Sequence, residues 1–251
     1  MPELSISIVS HRQIGLVQKL LSDIQRYCAG TLVEVILTSN VEEQIPFEAS
    51  DFMFPLRIIR NLAPKGFGAN HNAAFRLARG EFFCVLNPDI GFSMNPFPVL
   101  IAQAKTENAG VVAPLVTNSA GVPEDSARRF PSPLEIIRKI FGGRSAIQAD
   151  IRQPISHPDW VAGMFMLFPQ RVFRKVGGFD ERYFLYYEDV DLCARLTLAG
   201  YRVILCFMAS VVHDARRSSH KNLRYMRLHL ASVLRFFSSP VYRALLRRAS
   251  N

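Results

Sequence analysis

The sequence predicts an α/β fold with a mainly parallel central sheet flanked by helices. Short runs of β-branched and apolar residues alternate along the chain with segments whose apolar residues recur at helical spacing. Such a series of strand, helix and strand is typical of a parallel sheet. The chain has 251 residues, of which 49% are hydrophobic and 20% charged. This is enough for one substantial hydrophobic core.

The elements follow in order from these patterns. The first four predicted strands cover residues 4–10, 33–38, 56–60 and 82–86, and the first two helices cover residues 14–27 and 67–78. Next come a predicted helix at 96–106, a strand at 110–113, a loop at 116–133 and irregular structure at 142–158. A helix from Glu188 to the stop at Gly200, a strand ending at His213 and a helix at 223–237 complete the prediction.

The composition indicates where the protein works. The longest apolar run, at residues 160–169, is far short of the roughly 20 residues that cross a bilayer. The polar amino terminus lacks the features of a signal peptide, so we expect a cytoplasmic protein. The four cysteines form no C-x-x-C pair, which favours buried free thiols over disulfides or zinc ligands.

Positive charge is concentrated at the carboxyl end. Residues 211–251 hold nine Lys and Arg against Asp214 alone, so they carry 9 − 1 = +8 of the total formal charge of +9. The predicted helix at 223–237 is basic and amphipathic, which is typical of helices on anionic membrane surfaces. A helix packed on the body with solvated arginines stays open as an alternative. Nucleic-acid binding is not expected, because no binding motif accompanies the charge.

Three predicted strand ends carry residues that could bind a ligand or a metal ion. In open α/β sheets, ligands bind at such ends. Asn87-Pro88-Asp89 is either a turn or a carboxylate placed to hold a divalent cation against phosphates. Gly66 and Gly68 would let a diphosphate approach the start of the following helix. His213 is either a structural hydrogen-bonding residue or a ligand of a metal or phosphate.

An acidic cluster opens the helix that begins at Glu188. Glu188, Asp189 and Asp191 follow the aromatic run at 183–187, where a catalytic carboxylate would be placed. The alternative is ordinary helix chemistry, because carboxylates are favoured in a first helical turn and Asp191 pairs with Arg195 at i,i+4.

Together these segments resemble the family 2 glycosyltransferases of the GT-A fold, and in particular the bacterial rhamnosyltransferase-like branch. The resemblance rests on SIVSHR, KGFGANHN, NPDI, WVAGMFMLF, VGGFDERYFLYYEDVDLCARLTLAGY and VVH, in this order. It implies a GT-A domain at residues 1–213, with residues 214–251 as a basic helical extension.

The resemblance also implies an activity and a set of partners. It implies inverting transfer of a sugar, with dTDP-L-rhamnose as the first donor and a UDP-sugar as the alternative, to a hydroxyl of a glycan or lipid-linked acceptor in surface polysaccharide synthesis. A divalent metal, Mg²⁺ or Mn²⁺, would assist. With the basic helix, this places the enzyme peripherally on the inner membrane face, at an anionic membrane surface.

The resemblance further implies roles for individual residues. Asp189 is the base and Glu188 its neighbour in the acceptor site, while Asp89 and His213 hold the metal. The acceptor or sugar pocket contains Trp160, Gly163 and Glu188. The donor site contains Ser10, His11, Thr38, Lys65, Gly66, Gly68, Asn72, Asn87 and Asp89.

The sequence departs from the family at several of these places. Asn87 stands where the family's D-x-D motif has its first Asp. His11 and Thr38 stand at positions that help to seat the nucleobase, where the family often has other residues. Two rival classes stay open. A nucleotidyltransferase would show a glycine-rich phosphate loop after its first strand. A non-catalytic, membrane-associated nucleotide-sugar-binding protein would not explain the presence of Asp89 and Asp189.

Overall fold

The computed structural model describes residues 2–133, 153–213 and 223–249. In these ranges the strands are β1 (Leu4–Ser10), β2 (Val33–Ser39), β3 (Leu56–Arg60), β4 (Phe82–Leu86), β5 (Ile90–Gly91), β6 (Ala109–Thr117), β7 (Ala127–Arg128), β8 (Ile155–Ser156), β9 (Trp160–Val161), β10 (Phe165–Pro169) and β11 (Arg202–His213). The helices are α1 (Ile14–Tyr27), α2 (Phe67–Phe75), α3 (Phe97–Ala104), α4 (Gln170–Lys175), α5 (Glu188–Leu198), α6 (Leu223–Ser238) and α7 (Pro240–Ala249).

Nine of the described strands build one large sheet in the order β3-β2-β1-β4-β10-β6-β11-β5, with β8 on β11, and β7 pairs with β9 in a separate two-stranded sheet. Strands β1 to β4 pair in parallel, and β6 pairs in parallel with β11. Strand β10 runs antiparallel between β4 and β6. The predicted α/β fold with a mainly parallel sheet is therefore confirmed. The residues that precede β10 lie at the same edge as the residues that follow the parallel strands.

Alternating side chains of each strand enter separate cores on the two faces of the sheet. In β4, Cys84 and Leu86 join one core with α1 and α3, whereas Phe83 and Val85 join the other with α4 and α5. Helix α1 buries Val17, Leu20, Leu21 and Ile24 on one side, as its apolar spacing predicts. The four cysteines are buried free thiols, and burial raises the pKa of Cys28 to about 12.

Several predicted boundaries are wrong, one of them because of contacts distant in sequence. The predicted loop at 116–133 contains the end of β6 and also β7, because the chain turns at Asn118 and then pairs Ala127 and Arg128 with β9. Helix α2 ends at Phe75 and helix α3 at Ala104, earlier than predicted. Residues 142–152 of the predicted irregular segment lie outside the described residues.

The two carboxyl-terminal helices pack against α5 and the aromatic segment before it. Phe236 is fully buried in a cluster with Tyr183, Val190 and Ala194. Ser232 Oγ donates a hydrogen bond of 2.8 Å to the carbonyl of Leu185. One face of α6 is therefore packed on the body, as the alternative to a membrane helix anticipated. Among the described helices, none has the length and apolar character required to span a membrane.

Candidate active site

The acidic cluster begins α5 after a strained backbone. Tyr186 and Tyr187 adopt positive φ angles of 70° and 67°, which non-glycine residues seldom do. This conformation turns the chain from the aromatic segment into the helix, so that Glu188 and Asp189 form its first turn. Strain of this kind persists only where surrounding contacts hold it, and it is common at functional sites.

Two backbone N–H groups fix the carboxylate of Asp189. Gly163 donates to Oδ2 at 3.0 Å and Val190 donates to Oδ1 at 2.8 Å. Burial raises the pKa of Asp189, while these donors and the positive charge of Arg128 oppose the rise. The donors favour the ionised carboxylate, which is the form that accepts a proton.

Glu188 differs sharply from its neighbour. Its side chain is buried, and Oε2 has no hydrogen-bond partner among the described residues. Burial first, and the adjacent charge of Asp189 second, raise the pKa of Glu188 well above its usual value. Burial therefore favours the protonated form of Glu188, whereas two N–H donors favour the ionised form of Asp189.

Trp160 and Arg128 lie together in the part of the molecule for which an acceptor or sugar pocket was predicted. The Trp160 indole N–H donates to the carbonyl of Arg129 at 2.9 Å. The Arg128 guanidinium lies 5.7 Å from the centroid of the Trp160 ring and forms an ion pair with Asp125 at 2.6 Å. An apolar ring beside a fixed cation and two carboxyl groups suits a sugar acceptor, which presents both C–H faces and hydroxyls.

Asp89 and His213 meet at the edge of the sheet although 124 positions separate them. Strand β5 pairs with the end of β11, which brings His213 Nε2 to 3.2 Å from Asp89 Oδ2. His213 Nδ1 donates to Glu124 Oε2 at 2.6 Å. The hydrogen bond to Asp89, and also that to Glu124, outweigh burial and raise the pKa of His213 to about 9. The Asn87-Pro88-Asp89 segment is thus a turn that also delivers a carboxylate to His213.

A network of three asparagines holds the backbone of Lys65, which was predicted to bind the donor. Lys65 N–H donates to Asn40 Oδ1 at 2.8 Å, and the Lys65 carbonyl accepts from Asn40 and Asn70. Asn61 bridges Asn40 and Asn70 with bonds of 2.9 and 2.7 Å. The network fixes the backbone of the glycine loop and leaves the Lys65 side chain exposed.

The glycines of this loop allow close approach of other backbone segments. A Cβ at Gly66 would lie 2.8 Å from the carbonyl oxygen of Phe184, and a Cβ at Gly68 would lie 2.5 Å from Phe179 Cβ. Asn72 exchanges two hydrogen bonds with the backbone of Phe179. These contacts join the loop to the aromatic segment, and the predicted donor-binding role of Gly66, Gly68 and Asn72 stays a prediction.

The remaining predicted donor residues lie at the ends of β1, β2 and β4. Ser10 Oγ accepts from the Gln13 N–H at 3.2 Å, and the exposed His11 lies 3.3 Å from the Asn40 side chain. Thr38 is buried, and its hydroxyl has no partner within the part of the chain that the structure describes. Asn87 N–H donates to the carbonyl of Met164 at 2.9 Å.

Short contacts link all these segments. Met164 bonds to Asn87, and the adjacent Gly163 bonds to Asp189. The Phe67 N–H donates to Phe184 O at 2.9 Å, and its ring lies 3.1 Å from where a Cβ on Gly163 would be. The glycine loop, the Asn-Pro-Asp turn and the acidic helix start therefore converge at one edge of the sheet.

Sequence reasoning missed Glu124, Arg128 and the Asn40–Asn61 pair. Glu124 and Arg128 lie in the stretch predicted to be a loop, and nothing in their spacing relates them to His213 or Asp189. The asparagines follow β2 and β3 directly, so their positions after adjacent strands were the available signal.

Comparisons with known proteins identify the family of this site. Residues 5–175 match the family described as Glycosyl transferase family 2. The chain belongs to this family. It is 27% identical over 245 residues to the rhamnosyltransferase WbbL of Escherichia coli, covering 93% of this chain and 92% of that protein. It is also similar to the N-acetylglucosaminyl-diphospho-decaprenol L-rhamnosyltransferase of Mycobacterium tuberculosis. The two are 32% identical over 152 residues, which cover 57% of this chain and 50% of that protein.

Solved structures show the same fold at low sequence identity. GalNAc-T7 with UDP, GalNAc and Mn²⁺ matches with a TM-score of 0.70 at 12% identity, over 95% of this chain and 49% of that one. The mannosyltransferase PcManGT of Pyrobaculum calidifontis with GDP-Man and Mn²⁺ matches with a TM-score of 0.62 at 16% identity, over 95% of this chain and 66% of that one. The fold is GT-A, and the protein is a glycosyltransferase of glycan synthesis.

The residues near His213 suit a divalent metal in part. Across the described ranges, no group of three or more His, Cys, Asp or Glu is arranged to hold a metal ion. Asp89 Oδ1 is nonetheless buried without a hydrogen-bond partner among the described residues, and an imidazole nitrogen lies beside the same carboxylate. A carboxylate oxygen and a neutral imidazole form a suitable pair for Mn²⁺, so His213 would lose its Nε2 proton on binding the metal, and phosphate oxygens and water would supply further ligands.

Proposed function

We propose that this protein is an inverting, metal-dependent glycosyltransferase that moves L-rhamnose from dTDP-L-rhamnose to a hydroxyl of a lipid-linked glycan in surface polysaccharide synthesis. One observation carries the proposal. Asp189 is a partly exposed carboxylate held by two N–H donors at the start of α5, beside the Trp160 ring and linked through Gly163 and Met164 to the Asn-Pro-Asp turn.

The carboxyl pair divides the chemistry of a single displacement. Asp189 accepts the proton of the acceptor hydroxyl as the oxygen attacks the anomeric carbon, and the bond to the diphosphate breaks on the opposite face of the sugar. Burial raises the pKa of Glu188, which favours its protonated form, and in that form Glu188 donates a hydrogen bond to the acceptor or the sugar. Two carboxyl groups whose environments differ in this way are a recurring sign of distinct roles.

Asp89 and His213 would hold the divalent metal. The metal would supply Lewis-acid stabilisation of the charge on the departing diphosphate. Glu124 accepts from His213 Nδ1 and so directs Nε2 toward Asp89, an arrangement that orients metal-binding histidines in many proteins. The family's first D-x-D carboxylate is replaced by Asn87, which offers a neutral carbonyl.

The relatives support the choice of donor and acceptor. Two of them are named rhamnosyltransferases, and the match to the Escherichia coli protein spans nearly both chains. The name of the mycobacterial relative includes a diphospho-decaprenol acceptor, which is a lipid-linked diphosphate. We infer a lipid-linked acceptor here also, and a peripheral position on the inner membrane face. A UDP-sugar is the alternative donor.

A donor and acceptor screen tests the proposal. The purified protein is incubated with dTDP-L-rhamnose, UDP-glucose or UDP-N-acetylglucosamine, with a short-chain prenyl-diphosphate sugar acceptor, and with Mn²⁺, Mg²⁺ or a chelator. We expect transfer from dTDP-L-rhamnose in the presence of metal, with a product whose anomeric configuration, read by NMR, is opposite to that of the donor.

Each other outcome has a defined meaning. Transfer from a UDP-sugar alone would support the alternative donor. Full activity with the chelator would remove the metal from the mechanism. Donor binding without transfer or hydrolysis would favour a non-catalytic binding protein.

A further inference from the structure

Helix α6 presents an exposed apolar stripe on the side away from the body. Leu223, Met226, Leu230 and Leu234 are 70%, 63%, 58% and 62% exposed. Their spacing of three, four and four residues places all of them on one side of the helix. We call these four residues the outer stripe. Exposed apolar residues gathered in this way mark an interaction surface.

The opposite face of the same helix contacts the aromatic segment that precedes Glu188 and Asp189. The His229 ring lies 5.3 Å from the ring of Tyr186 and 5.7 Å from the ring of Tyr187. Ser232 Oγ donates to the carbonyl of Leu185, and Phe236 packs 5.6 Å from Tyr187. These tyrosines have the positive φ angles that set the start of α5. One helix therefore connects the outer stripe to the backbone that positions Glu188 and Asp189.

The charge around the stripe is entirely positive. Residues 223–249 contain six arginines and no acidic residue, so their formal charge is +6. Arg227 is exposed and lies beside the stripe, four residues after Leu223 and three before Leu230. Exposed Arg243 and Arg247 add charge from α7. Apolar side chains with flanking arginines are the pattern of a helix that lies in a membrane interface.

We propose that the outer stripe is the docking surface of this enzyme for an anionic lipid bilayer, and that docking sets the acceptor side of the active site against the membrane. The leucines enter the boundary between headgroups and acyl chains, and the arginines contact lipid phosphates. A second copy of this chain fits less well, because symmetric pairing would bring together two surfaces that carry exposed arginines and, within residues 223–249, no acidic residue. The bilayer supplies the opposite charge.

The coupling to catalysis rests on the proposed function, whereas the docking surface does not. A lipid-linked acceptor is confined to the bilayer, so a helix that rests on the bilayer and also contacts Tyr186 and Tyr187 brings the acceptor within reach of Asp189. Docking then raises the local concentration of acceptor at the site. A water-soluble acceptor would gain nothing from the outer stripe.

Point variants of full-length protein test the docking surface. Deletion of α6 is unsuitable, because Phe236 is fully buried and its removal would disturb the core. The test variant combines Leu230→Gln with Leu234→Gln. The control variant combines Leu32→Gln with Met53→Gln, which are 68% and 89% exposed and lie outside α6. Flotation with phosphatidylcholine vesicles, with and without phosphatidylglycerol, measures binding.

We expect wild-type and control protein to float with phosphatidylglycerol vesicles, with binding that weakens as salt rises. The test variant should lose roughly tenfold in partition coefficient for each leucine replaced. Equal binding of test and control variants would overturn the proposal. So would a wild-type dimer, seen by light scattering without vesicles, that the test variant converts to monomer.

Activity separates this proposal from the proposed function. With a water-soluble short-chain acceptor, the test variant should match wild type in rate. With a long-chain acceptor in anionic vesicles, its rate should fall in proportion to vesicle binding. Failure of wild type with every acceptor would contradict the proposed function and leave the flotation result intact. An unchanged rate on vesicle-borne acceptor would overturn the coupling.

Discussion

Replacement of Asp189 by Asn tests the catalytic role of the acidic helix start. The substitution keeps the size of the side chain but removes the capacity to accept the proton of the acceptor hydroxyl. General-base catalysis contributes typically 10²- to 10⁴-fold, so the transfer rate should fall by about this factor while donor affinity changes little.

The structure also indicates how much the Asp189→Asn substitution lowers stability. Asp189 accepts from two N–H groups, at 3.0 Å and 2.8 Å, and an amide presents only one oxygen. Either Gly163 or Val190 would then face an NH₂ group and lose its acceptor. An unsatisfied donor costs about 1–3 kcal/mol when fully buried, and the lower end of this range, about 1 kcal/mol, applies to this partly exposed site. Asp189→Asn should therefore lower the free energy of unfolding by about this amount.

Glu188→Gln is the matched control. Burial raises the pKa of Glu188 well above its usual value and so favours the neutral side chain, whose size and charge Gln reproduces. We expect little change in stability and a smaller loss of transfer than for Asp189→Asn. Transfer rate, donor affinity by calorimetry and urea unfolding are measured on both variants. Near-normal turnover by folded Asp189→Asn protein would refute the reasoning.

Three further predictions follow from the metal side and the glycine loop. Asp89→Asn should weaken metal-dependent binding of the nucleoside diphosphate in calorimetry and leave metal-free binding unchanged, whereas unchanged metal dependence would make the segment a turn only. Because the pKa of His213 rises from 6.5 to about 9 on folding, its stabilisation is fully present below pH 6.5 and is lost as pH rises through about 9, by about 3 kcal/mol. Urea unfolding across this range should show the loss in wild type but not in His213→Gln, and identical profiles would contradict it. Gly66→Ala places a Cβ 2.8 Å from the backbone oxygen of Phe184 and should cost about 1–3 kcal/mol, while Gly15→Ala, where no described heavy atom lies within 4 Å of the added Cβ, should not lower the melting temperature.

The sequence alone determined much of the fold and part of the site. The bounds of β1, β3, β4 and α1 agree with the predicted ones, because a two-residue or 3.6-residue apolar period reports which side of an element is buried. The acidic start of α5 could also be predicted from local sequence, because a helix terminus and the aromatic segment before it each have a characteristic residue pattern. The family motifs added the order of these segments, and family membership is confirmed.

Only the tertiary structure decided which distant residues meet. Nothing local in Glu124 indicates that it accepts from His213, 89 residues later, because that contact depends on how the chain returns beside β6 and where β11 ends. Strand β10 reads as an apolar run in the sequence, but its antiparallel position is what brings Gly163 to Asp189. Helix α6 was predicted to be amphipathic, yet a local period cannot assign its two apolar faces. Packing of Phe236 against Tyr187 buries one face of α6 and leaves the outer stripe exposed. Local patterns fix what an element is, whereas contacts between elements far apart in sequence fix what it touches.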